Sequence, residues 1–135
     1  MSSARARGRE VPQPVPGDEA TAHAEAEHTT CADTGMPLTA RVLFAVVSAD
    51  GFLIRGLGAA AANRLRTGMY QVVFDQDVTG ASLVGTVGLT GSSGLAPAGQ
   101  IAVAGRTNIP NAVFVTTFDG VGTAADRPFH LAVFS

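Results

Sequence analysis

An all-β fold is predicted for this 135-residue chain: an antiparallel, jelly-roll-like β-sandwich of about eight short strands behind a flexible N-terminal arm. Three observations predict it. Residues 68–78 place Tyr70, Val72 and Phe74 at spacing two, on one face of an extended chain, with Met69, Gln71 and Val73 on the other. From residue 41 onward, short apolar runs are separated at sandwich-like intervals by Gly, Pro, Asn and Asp turns. All seven Phe and the one Tyr lie at Phe44 or later, so residues 1–35 hold little with which to build a core.

The boundaries follow. Residues 1–35 form a flexible acidic arm, with Pro12, Pro14 and Pro16 ahead of an Ala/Glu run, and three arginines against six acids. The run 18–27 would make a short helix capped by Asp18, marginal alone and able to bundle with copies. Residues 36–135 form the sandwich domain, with six arginines against five acids. Neither part carries the basic excess of a nucleic-acid binder. Cys31 is the only cysteine, which excludes an intrachain disulfide. No apolar run reaches the ~20 residues of a membrane-spanning helix, and no apolar stretch follows Arg5-Ala-Arg7-Gly-Arg9 as a signal peptide would require.

In chain order, residues 41–48 are a continuous apolar run, read as a strand buried on both faces. Asp50-Gly51 signals a hairpin into a second strand at Phe52-Leu-Ile54. In residues 56–66, Ala59-Ala-Ala-Ala62 favours helix by propensity, while the flanking strands favour strand. Context tips the reading to strand, and the choice stays open on sequence alone. After the strand at 68–74 come strands at 82–88, 100–105, 112–118 and 129–134, between turns at Thr79-Gly80, 90–94, 97–99, 108–111 and 119–122.

The last two strands are apolar on both faces. Ala112, Phe114, Thr116 and Phe118 share one face of the first, opposite Val113 and Val115; Phe129, Leu131 and Val133 share one face of the second, opposite His130, Ala132 and Phe134. A two-layer sandwich buries only one face of each sheet. The other faces need cover, and a copy of the same chain is the economical one. The expected oligomer interface is His130, Ala132, Phe134, Phe114 and Phe118.

Several patterns suggest chemistry. Gly56-Leu57-Gly58 after an apolar run, with Asp75 ending a later strand, has the outline of a nucleotide-binding βαβ unit. A helix there would be short, and no second βα unit follows. Asp33-Thr34-Gly35 matches the aspartic-protease triplet, faintly supported by Gly105-Arg106, but no buried strand precedes it. His23, His28 and Cys31, with Glu25 and Glu27, are metal-ligand types at a spacing unlike the tight zinc patterns. His130 has no Ser, Cys or acid near it in sequence and reads as a structural histidine. No cofactor is expected.

Residues 68–74, then Ala112-Val-Phe-Val-Thr-Thr-Phe-Asp119 and Ala124-Ala-Asp126-Arg-Pro-Phe-His-Leu-Ala-Val-Phe134, resemble the repeating pattern of phage tail-fibre head domains and related bacterial surface domains. The resemblance covers about residues 64–134. It departs at Ala81 and Ser135, where similar sequences often carry cysteines, and at Leu83, where an aromatic is common. It implies a trimeric, non-enzymatic adhesion or structural head, extracellular or particle-associated, with no catalytic residues and no membrane insertion. A surface glycan or protein ligand would meet loops rather than strands, and the loop candidates are Ser92, Ser93, Arg106, Asn108 and Asn111. The rival readings are a nucleotide-binding enzyme fragment using Gly56, Gly58 and Asp75, and an aspartic protease using Asp33.

Overall fold

The computed structural model describes residues 12–15 and 41–135. The described chain is all-β, with β1 (Val42–Val47), β2 (Leu53–Leu57), β3 (Ala59–Arg66), β4 (Met69–Phe74), β5 (Ser82–Val87), β6 (Gln100–Gly105), β7 (Ala112–Phe118) and β8 (Phe129–Phe134). They form two antiparallel four-stranded sheets, ordered β2-β1-β8-β5 and β3-β4-β7-β6. The first and last strands lie side by side, and the chain crosses between the two sheets four times.

The alternation read from the sequence decides what is inside. Leu43, Ala45 and Val47 of β1 and Phe129, Leu131 and Val133 of β8 meet Tyr70, Val72 and Phe74 of β4 and Val113 and Val115 of β7 in one core. Tyr70 meets Phe129 edge to face at 5.0 Å, the arrangement the ring quadrupoles favour. The Tyr70 hydroxyl donates to Ala49 O at 2.7 Å. Burial, with the Asp126 carboxylate adding to it, raises the phenol from 10.0 to about 12.

Two turns place the strands. At the β1–β2 turn Gly51 has φ 95°, and a Cβ there would lie 2.6 Å from Arg64 N, so both the angle and the close approach favour glycine. At the β3–β4 turn Gly68 has φ 70°. Asp126 clamps this turn, accepting from Gly68 N at 2.7 Å and from Arg64 Nε at 2.9 Å.

Residues 59–66 are a strand despite their alanines. β3 pairs with β4 from Ala59 opposite Phe74 to Arg66 opposite Met69, with two irregularities, and Ala59 and Ala62 pack on the core. Ladder and packing outweigh a propensity difference of a few tenths of a kcal/mol per residue. With a strand here, no helix N-terminus follows Gly58 to receive a pyrophosphate. The second strand runs Leu53–Leu57 rather than 52–54, because its pairing with β1 continues to Leu57 opposite Phe44. β1 is not buried throughout: Phe44 points outward and is 37% exposed. The arm expected over 1–35 lies outside the described residues except for 12–15, as do Asp33, Thr34, Gly35, His23, Glu25, Glu27, His28 and Cys31.

Candidate functional site

The sandwich has two outer faces, and the structure treats them differently. The outer face of the β2-β1-β8-β5 sheet is built in rows by strand register. Leu57, Phe44, Ala132 and Val84 line up across the four strands, and Arg55, Val46, His130 and Thr86 form the next row. Val42, Phe134 and Ser82 form a third row over three strands. Leu57, Val84 and Phe134 are about half exposed. A shallow hollow of about 330 Å³ lies among Phe44, Val84, Thr86, His130 and Ala132. Arg55 is the one residue of these rows with a permanent charge, and its Nη1 is turned onto Thr90 O at 2.7 Å. His130 Nε2 lies 2.8 Å from Leu89 O. These two contacts tie the segment after β5 to the margin of the face and leave its middle apolar.

The outer face of the β3-β4-β7-β6 sheet is covered in part by its own chain. The 106–111 loop between β6 and β7 folds back over it. Ile109 packs on Val73 and Ala112. Arg106 Nε donates to Gln71 Oε1 at 2.6 Å, and its guanidinium lies 5.6 Å from the centre of the Phe114 ring. Asn111 Nδ2 donates to Phe74 O at 3.0 Å. Asn108 takes φ 63° at the tip, a conformation asparagine tolerates. Residues 12–15 lie against this loop. Beside them a groove of about 420 Å³ runs past Met69, Ala102, Ala104, Phe114 and Phe118.

Against this geometry the sequence-predicted residues divide. His130, Ala132 and Phe134 share the first face, with Phe134 half exposed. Phe114 and Phe118 lie on the opposite face of the molecule, because β7 belongs to the other sheet. One planar interface does not take in both sets, and Phe114 is already 91% buried within the protomer. Of the loop candidates, Ser92, Ser93 and Asn108 are exposed, and the two serines border a small hollow with Ser48, Thr90 and Pro128. Arg106 and Asn111 are buried and engaged inside the protomer, so they are not offered at a loop surface.

Sequence reasoning overlooked Phe44, Leu57 and Val84 as members of the exposed face, and the Gln71–Arg106 pair. A signal for the pair existed: Gln71 is an amide in an otherwise apolar strand, and a buried amide needs a partner. Among the described residues no group of three or more His, Cys, Asp or Glu stands close enough to hold a metal. Asp119 caps its own turn, and the amides of Thr123 and Val121 hold its carboxyl below the usual range. No protein-family model, curated protein or solved structure matches the chain.

Proposed function

We propose that this chain is a non-enzymatic structural or adhesion head that assembles with copies of itself, as a trimer by its resemblance to fibre-head domains, through the outer face of the β2-β1-β8-β5 sheet. The observation that carries the reading is the row Leu57–Phe44–Ala132–Val84, apolar across all four strands and flanked by Phe134. An exposed apolar patch of this kind marks an interaction surface. A copy suits it because the face carries one permanent charge, Arg55, already directed to its margin. Like faces can approach without stranding ions. A symmetric assembly also buries the same patch on every subunit. The loops at 90–99 and the tip at Asn108 are left for a surface glycan or protein.

Sedimentation velocity at micromolar concentration tests this. The wild-type chain is expected to sediment as an oligomer, and Val84→Arg to sediment as a folded monomer with an unchanged far-ultraviolet spectrum. A monomeric wild type, or an oligomer indifferent to Val84→Arg, would sink the reading.

A further inference from the structure

β6 is an edge strand of its sheet, so its outward backbone groups have no neighbouring strand. At its end, Gly105 O accepts from Gln13 Nε2 at 2.9 Å, and Thr107 N donates to Gln13 Oε1 at 2.8 Å. The Gln13 carboxamide thus makes the two bonds that one residue of an added strand would make with its own N–H and C=O, donor to acceptor and acceptor to donor. Arg106 Nη1 donates to Pro14 O at 2.7 Å and lies 3.4 Å from Gln13 Oε1. Arg106 is only 4% exposed, and its guanidinium is also held by Gln71 and by the Phe114 ring.

The ligand is as constrained as the site. Prolines on both sides of Gln13 restrict the segment to extended or polyproline conformations, which lowers the entropy lost on docking. Pro12 and Gln13 border the apolar groove at Met69, Ala104 and Phe114, which suits a proline ring or an aliphatic side chain. The pairing is also selective. Glutamate would set a carboxylate oxygen against Gly105 O, asparagine is one methylene short, and alanine makes neither bond.

We propose that Gly105, Arg106 and Thr107 form a peptide-binding site that reads an extended Gln-Pro sequence, with the chain's own residues 12–15 as a resident, displaceable ligand. That ligand is part of the same chain, so its docking is intramolecular and is not weakened by dilution as binding of a free peptide is. A free peptide therefore competes poorly with the resident segment unless that segment is disabled.

The test uses the full chain with Gln13→Ala and a synthetic hexapeptide of the sequence of residues 11–16, with backbone amide shifts of residues 105–107 as the readout. The Gln13→Ala chain is expected to bind the hexapeptide with saturation, and the wild type at least ~tenfold more weakly. A hexapeptide with Glu in place of Gln is expected to bind the variant at least ~tenfold more weakly than the original, because one pairing becomes a repulsion. The Thr107 amide should also exchange with solvent faster in Gln13→Ala than in wild type, without added peptide. The proposal is overturned if the Gln13→Ala chain shows no saturable binding, if wild type and variant bind alike, or if the Gln and Glu peptides are indistinguishable. None of these outcomes depends on the oligomeric state.

Discussion

The two outer faces of the sandwich start from one sequence pattern and end differently. β7 and β8 both carry large apolar side chains on both sides. Over β7 the neighbouring connection supplies cover: Ile109 and Arg106 lie across Val73, Ala112, Gln71 and Phe114, with residues 12–15 beside them. The connection that leads into β8 does something else. Its Asp126 clamps the Gly68 turn, and its Arg127 donates to Ala98 O at 2.9 Å, so it stays at the rim. Phe114 is therefore 9% exposed and Phe134 47%. An apolar stripe states that cover is needed; the path of the adjoining loop decides whether the chain itself provides it.

The largest expected effect contrasts the two sides of β8. Phe129 is fully buried in edge contact with Tyr70, whereas Phe134 is half exposed. Phe129→Ala should cost ~3–5 kcal/mol, a large share of a domain's ~5–15 kcal/mol, and should be read as loss of the cooperative urea transition. A shift below about 1 kcal/mol would show that the core is not organised around this ring.

The next effect probes the covered face. Arg106→Met removes the donor to Gln71 Oε1 and leaves a buried amide oxygen short of a partner. The expected loss is about 1–3 kcal/mol. Adding Gln71→Leu to it should restore much of that loss, since replacing both partners with apolar groups is often near neutral. If the double variant is as unstable as the sum of the singles, the pair is not the coupling that holds the loop down.

These contrasts also show what was legible in the sequence. The last three strands were readable to the residue from alternation and turns, because each property is local: Gln100–Gly105, Ala112–Phe118 and Phe129–Phe134. The split of β8 into Phe129, Leu131 and Val133 inside and His130, Ala132 and Phe134 outside was readable for the same reason. Sheet membership was not. It depends on partners far apart in the chain, so Phe114 and Phe118 were grouped with the outward residues of β8 although they occupy the opposite surface. Arg106 and Asn111 sit among turn-forming residues and read as exposed, yet pairings with Gln71 and Phe74 O bury them. The docking of Gln13 joins residues more than ninety positions apart and had no periodic signature.

The core also has a pH signature. Tyr70 stays a neutral phenol in the fold until about pH 12, while an unfolded phenol ionises near 10.0. Its stabilising contribution is complete below pH 10 and is lost as pH rises through about 12. The loss is on the order of 2 kcal/mol. Urea midpoints at pH 9 and at pH 11.5 should show the decline, and Tyr70→Phe should flatten it at the expense of the hydrogen bond to Ala49 O. An equal decline in Tyr70→Phe would assign the alkaline sensitivity to another group.

The smallest effect on the protomer is expected where the effect on assembly is largest. Phe134 lies outward near the end of β8, paired in register with Val42 and Ser82, and its ring is half in solvent. Phe134→Asp removes apolar area that the isolated protomer never fully buries. Its cost to monomer stability should stay within about 0.5 kcal/mol, as for surface substitutions generally. In a self-associated face the same carboxylate would be desolvated against copies of itself, and removal from water costs several kcal/mol per ion. The expected result is a lower sedimenting mass with an unchanged urea midpoint for the dissociated chain. Phe118→Asp on the other outer face is the control, and it should leave the mass unchanged. If Phe118→Asp dissociates the assembly and Phe134→Asp does not, the roles of the two faces are reversed, and the groove beside residues 12–15 is where the subunits meet.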